Sequence, residues 1–319
     1  YLLFGFPVTK WWGSSFGLTP FSKTGYKMSF SQYIDSLGNV NYIYEGNGGI
    51  NRFYWGNGFK IIKNISVGVN ASFLFGSLDK IRSIIFIDST KIYNVRIKNS
   101  TIISDIVFNW GIQYYTFIKP DLKLTLGSSF NTNSNLNAKQ NIIVQRFLSN
   151  NTGYEIIKDT VANNTKQKGK ILLPAEIKIG FTLQNKENYI GGIDFEWQNW
   201  SKFKNFEIKD SLKNSLQANI GFAFIPSRTS ISTYFQKIQY RLGAYYEQTG
   251  LKLKNTQIID FGIRFGMGLP LKRSKSKINI GFELGQTGTI KNNLIKEQYC
   301  KVIIGLGIWE RWFIRTKYE

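Results

Sequence analysis

The stretch 173–200, LPAEIKIGFTLQNKENYIGGIDFEWQNW, holds two alternating runs separated by a polar break. Ile177, Ile179, Phe181 and Leu183 alternate with Glu176, Lys178, Gly180, Thr182 and Gln184. Ile193, Phe195 and Trp197 then alternate with Asp194, Glu196 and Gln198. A period of two places successive side chains on opposite faces of a strand, so this ribbon has one greasy face and one ionised face. A half-buried sheet in water satisfies that pattern, and so does a wall facing hydrocarbon. The rest of the chain separates the two.

The same period recurs nearly everywhere. It runs through Tyr26–Ile34, Val67–Phe75, Ile106–Tyr114, Leu122–Leu126, Leu216–Phe224, Tyr240–Tyr246, Ile278–Leu284 and Val302–Ile308, and most cleanly through Ile259, Phe261, Ile263, Phe265, Met267 and Leu269. No segment shows a helical i, i+3, i+4, i+7 face. The chain reads as all-β.

The alternate positions then discriminate. They hold many glycines, among them Gly68, Gly111, Gly127, Gly180, Gly243, Gly262 and Gly266, which are poor choices for a strand face in water. They suit a curved wall whose inside must leave room. Short links at Lys119-Pro120-Asp121, Asn185-Lys186-Glu187, Pro226-Ser227-Arg228 and Lys272–Lys277 alternate with long polar ones. The long links are Ser77–Ser100, Asn131–Lys170, Ser201–Lys213, Glu247–Thr256 and Gly285–Lys296. Short turns on one side and long loops on the other mark a transmembrane antiparallel up-and-down β-barrel, and the segments count to about fourteen. Residues 1–319 form one such domain, with 131–170 a long external loop in which 140–148 and 154–161 are β-prone.

Of the 319 residues 42% are hydrophobic and 16% aromatic, enough for a large domain. The net charge of +21 suits a polyanionic partner, although a bias toward Lys, Asn and Ile codons produces the same excess. Histidine is absent and Cys300 is the one cysteine. That removes Ser-His-Asp and Cys-His catalysis, His-ligated metal and an internal disulfide. The expectations are therefore no enzyme, no catalytic residue, no metal and no cofactor. The sequence opens at Tyr1 without a charged-then-apolar leader, so a signal peptide is read as removed or not included. No apolar run reaches the ~18 residues of a spanning helix, so strands must carry any membrane passage.

In this frame Asp105, Glu176, Lys178, Asp194, Glu196, Arg241, Asp260, Arg264 and Glu283 are candidates for the barrel lumen, because charge is costly in hydrocarbon. They read as ion pairs that hold the wall's shape or as contacts for a ligand. Trp11, Trp12, Trp197, Trp200, Trp309 and Trp312 are candidates for the membrane interfaces. Lys252, Lys254, Lys291 and Lys296 read as loop charges or as partners for lipopolysaccharide phosphates. Cys300 falls in the lipid-facing phase. Gly46-Asn47-Gly48-Gly49 is read as a site of curvature, since no strand-to-helix junction accompanies it to hold a phosphate.

Several stretches resemble the FadL-like outer-membrane transport family, in the type seen in Bacteroidetes. These are FGLTPFSKTGY (16–26), GNGGINRFYWGNGFKIIKNISVGVNASFLFG (46–76), LPAEIKIGF (173–181) and IGGIDFEWQNWSKF (190–203). The resemblance implies a 14-stranded barrel in the bacterial outer membrane that takes up hydrophobic small molecules such as long-chain fatty acids. It implies lipid, lipopolysaccharide and a hydrophobic ligand as partners, and no nucleic acid. Family members carry an N-terminal hatch, and none precedes the first strand here; the plug is missing from the chain or reduced. The alternative expectation is a barrel that docks other outer-membrane proteins in a secretion or surface complex.

Overall fold

The computed structural model describes residues 2–308 apart from 89–91, 150–153, 187, 207, 228, 230–232 and 272–275. Its strands are β1 (Leu2–Pro7), β2 (Trp12–Ile34), β3 (Gly38–Ile62), β4 (Ile65–Phe86), β5 (Asn94–Lys119), β6 (Leu122–Asn131), β7 (Ser134–Ser149), β8 (Glu155–Leu173) and β9 (Glu176–Asn185). There follow β10 (Tyr189–Gln198), β11 (Lys204–Asn205), β12 (Ile208–Lys209), β13 (Ser215–Phe224), β14 (Gln239–Leu253), β15 (Thr256–Pro270), β16 (Lys277–Gly288) and β17 (Lys296–Gly307). One short helix, α1 (Tyr234–Lys237), sits between β13 and β14.

The membrane wall is the antiparallel sequence β1-β2-β3-β4-β5-β6-β9-β10-β13-β14-β15-β16-β17. That is thirteen strands; Trp309 and Trp312, within 309–319, lie outside the described residues. Among the described residues β1 and β17 are the two ends of the sheet. The alternation does in the wall what the sequence anticipates. Trp110, Phe130, Ile177, Trp197 and Leu216 face one another across five neighbouring strands, and all are exposed on the outer face. Such a belt is stable only against acyl chains.

Above the wall the structure departs from a barrel with polar loops. Ser77–Ser100 is two strand extensions, for β4 continues to Phe86 and β5 starts at Asn94. Charge made this stretch look like a loop, but Lys98 pairs across the strands with Asp79 at 2.9 Å, as Lys27 of β2 pairs with Glu45 of β3 at 2.7 Å. The 131–170 segment is a ribbon, β7–β8, longer than its β-prone cores. Its first strand pairs with the upper half of β5, while β6 pairs with the lower half. The six strands β2-β3-β4-β5-β7-β8 form a lobe beyond the wall.

Two glycines mark the crease between wall and lobe. Gly48 has φ +104° and Gly76 φ +145°, a region L-residues avoid, and Gly76 lies opposite Ile50 in the ladder. Below the crease the concave side carries Ile50 and Leu74; above it the concave side carries Ile43 and Ile81, of opposite parity. The sheet reverses its curl there. The lobe then encloses a hollow of about 430 Å³ lined by Ile43, Ile81, Ile85, Arg96, Ile143 and Glu155. Arg96 donates two hydrogen bonds to Glu155, at 2.8 and 2.6 Å, and lies 4.4 Å over the ring of the fully buried Phe147.

This lobe should be acid-sensitive. Hydrogen bonds from Arg96 hold the Glu155 carboxyl below its ordinary value, and those from Arg146 do the same to Asp159. Groups with depressed folded values contribute stability that is present above the unfolded value and lost as pH falls through the folded one. Amide protection in β7 and β8, corrected for intrinsic exchange, is therefore expected to fall below about pH 4. Unchanged protection at pH 3 would refute the assignment.

Candidate functional site

The lumen face is built by the positions between the lipid-facing residues, and register aligns its glycines. Gly13 faces Gly58, which faces Gly68, which faces Gly111. Gly127 faces Gly180, and Gly192 faces Gly221, which faces Gly243. A cavity of about 730 Å³ opens against this face, lined among others by Gly58, Gly68, Gly111, Gly127 and Gly180 with Lys178, Asp194 and Glu196. A Cβ built on Gly58, Gly127 or Gly221 meets nothing within 4 Å. These glycines leave room inside the barrel rather than avoiding a neighbour.

The nine charged candidates divide by what they touch. Glu283, with its side chain 7% exposed, accepts from Arg264 at 2.8 Å and Lys301 at 3.1 Å. Beside it the hydroxyls of Tyr245 and Tyr299 meet each other, and both lie within hydrogen-bonding distance of the same Asp260 carboxylate oxygen, at 3.2 and 3.1 Å, so that one donates to Asp260 and the other to its neighbouring hydroxyl. Those rings lie flat across Gly262 and Gly285, where a Cβ would collide with them. Sequence reasoning names Asp260, Arg264 and Glu283 of this group and does not name Tyr245, Tyr299 and Lys301. Their parity was the available signal, since Tyr246 and Cys300 next to them are of the lipid-facing phase.

A second group is Lys178 between Glu176 at 2.9 Å and Glu196 at 3.0 Å. Asp194 lies over Gly180, its neighbour across the ladder. Arg241 stands apart, its guanidinium donating to Gln239 at 2.9 Å. Asp105 has a structural task. It sits where β5 exchanges β6 for β7, and its Oδ2 accepts from the Asn137 backbone N–H at 2.7 Å and side-chain amide at 2.9 Å. It thereby satisfies a donor that the fork leaves without a ladder partner.

Toward the outer mouth the lining changes character. Ile50, Leu74, Ile103, Val107, Leu136, Ala138 and Ile171 form a buried apolar cluster, with Phe203 and Phe206 packed on it from the segment after β10. Phe206 holds a left-handed φ of +51°, so this cover is strained. Trp200, a candidate for the membrane interface, turns instead onto Phe203 at 5.6 Å and against Gly250. Trp197 lies in the outer aromatic row, while Trp11 and Trp12 stack on Phe59 at the opposite end of the wall. Among the described residues no group of three or more His, Cys, Asp or Glu side chains is arranged to hold a metal ion.

The fold is similar to that of the CymD monoaromatic hydrocarbon channel, with a TM-score of 0.55 and 11% identity over 95% of this chain and 80% of that one. It is similar also to a Pseudomonas aeruginosa FadL homologue, with a TM-score of 0.54 and 11% identity over 89% and 68% of the two chains. Identities this low carry the architecture alone. No curated protein matches the sequence. A family model, described as BamG, matches residues 1–319.

Proposed function

The chain belongs to the BamG family, and from the open lumen and the fold it shares with hydrophobic-compound channels we propose a passive channel for small hydrophobic molecules in the bacterial outer membrane. The carrying observation is the glycine-lined cavity of about 730 Å³ inside an apolar-belted wall. A barrel that served only as a scaffold has no use for empty lumen; filling it would add packing. The apolar cluster under Phe203 and Phe206 offers a cargo its first contact, and the strained cover is the segment that moves. Diffusion down a gradient then needs no energy source.

The charges narrow the cargo. The cavity lining carries Lys178, Asp194 and Glu196, and Lys178 is already held by Glu176 and Glu196. Among the described residues lining this cavity no free cation awaits a carboxylate, so neutral hydrocarbon-like molecules suit it better than long-chain fatty acids. The test is uptake by cells with an intact lipopolysaccharide leaflet, since that leaflet is the barrier to apolar solutes. Gly58→Trp with Gly127→Trp is expected to cut toluene uptake by at least about tenfold while the barrel stays folded, the volume of two indoles being a large part of the cavity. Uptake unchanged by the two indoles would sink the channel.

A second reading, a docking subunit of a secretion or surface complex, is favoured by the lobe. Strands β2 to β5 run 23, 25, 22 and 26 residues, against the roughly 9–11 a membrane strand needs. A partner that co-purifies in mild detergent, together with normal toluene uptake in cells lacking the protein, would replace the first reading by this one.

A further inference from the structure

The outward face of the ribbon, opposite the apolar cluster, is covered with lysines. Lys139 of β7 faces Lys168 of β8, and Lys204 of β11 faces Lys209 of β12. Residues directly opposite in an antiparallel pair have Cβ atoms about 5 Å apart, and like charges there are destabilising. Lys170 follows Lys168 on the same face, and Lys204 is the neighbour of Leu172, two positions further on. All five lysines are exposed. Among the described residues none has a carboxylate partner, although Lys27, Lys98 and Lys178 nearby are all paired. Asp210, next along the chain, accepts from the Ser211 backbone N–H. A face assembled against its own electrostatics calls for an anion from outside.

Its height says which. Lys139 faces Ile102 of β5, the exposed apolar residue at the top of the outward row that runs down through Ile106, Phe108 and Trp110. The patch therefore starts at the upper edge of the apolar belt, where a lysine stem lies along apolar surface and its ammonium reaches headgroup level. It also points outward, toward neighbouring lipid, because the inward side carries Leu136, Ala138 and Ile171.

We propose that Lys139, Lys168, Lys170, Lys204 and Lys209 form a site for the phosphate groups of an outer-leaflet glycolipid. The site clamps the lipid beside the β6–β9–β10 wall and screens the facing lysines. It does not depend on the lumen conducting anything, so transport and lipid binding stand or fall separately.

The test uses the full chain in nanodiscs containing a doubly phosphorylated glycolipid, or the same glycolipid dephosphorylated, with retained lipid measured by native mass spectrometry. The variant with all five lysines changed to glutamine is expected to bind the phosphorylated form at least about tenfold more weakly, each surface lysine contributing to attraction for anionic lipid. Lys252→Gln with Lys291→Gln and Lys296→Gln, at the ends of β14 and β17 and in the link between β16 and β17, should bind within about twofold of the unaltered chain. Should the fivefold variant not fold, Lys139→Gln with Lys168→Gln carries the test. Equal retention of both glycolipids, equal binding by the ribbon variants, or displacement by inorganic phosphate at matched concentration would each overturn the site.

Discussion

Gly76→Val is expected to unfold the lobe of β2-β3-β4-β5-β7-β8 while the membrane wall survives. A Cβ at this position would lie 2.2 Å from the Gly49 carbonyl oxygen and 3.1 Å from the Ile50 Cα, both backbone atoms that cannot swing aside. The native φ of +145° is one a β-branched residue scarcely reaches. Steric and torsional costs together put the loss at about 3 kcal/mol or more. Gly58→Val is the control, because its new methyls enter open lumen and its φ is ordinary for a strand. Limited proteolysis should cut the Gly76→Val chain between residues 77 and 149, and the wall should keep its heat-dependent gel mobility. A lobe as protease-resistant as the original, or a Gly58→Val chain damaged equally, would refute the crease.

That crease also shows where sequence legibility stops. The alternation of Ile259 to Leu269 gives β15 with both faces correct, since Phe261, Ile263 and Phe265 are exposed outward and Asp260 and Arg264 join the lumen network. Parity is a local property and survives reading. Curvature is not local: Gly48 and Gly76 are 28 positions apart, and only pairing through Ile50 brings them to one level. The charges of 77–100 misled for the same reason. Asp79 and Lys98 look like loop residues until the register sets them side by side. The lumen site was legible as a list of charges but not as groups, because which of Asp260, Arg264 and Glu283 meet depends on strand stagger. Tyrosine is harder still, since one side chain serves lipid belt and polar network alike, and Tyr245 and Tyr246 do one each.

The network around Glu283 is where a single lumen substitution should cost most. Glu283→Leu removes the acceptor shared by Arg264 and Lys301 and leaves two cations without it, on β15 and β17 at either side of β16. Breaking a fully buried ion pair costs about 3–5 kcal/mol, but here the two cations are half open to lumen water and rehydrate, which brings the expected loss to about 2 kcal/mol. Urea unfolding in lipid vesicles measures it. Adding Arg264→Leu should recover part of the loss, because the second change removes a charge that the first left without its partner. Two losses that simply add would mean the carboxylate and guanidinium act independently and the four strands β14 to β17 are not fastened through them. Toluene uptake separates structure from transport: the network lies away from the glycine-lined cavity, so a variant that is less stable yet conducts normally is the expected result.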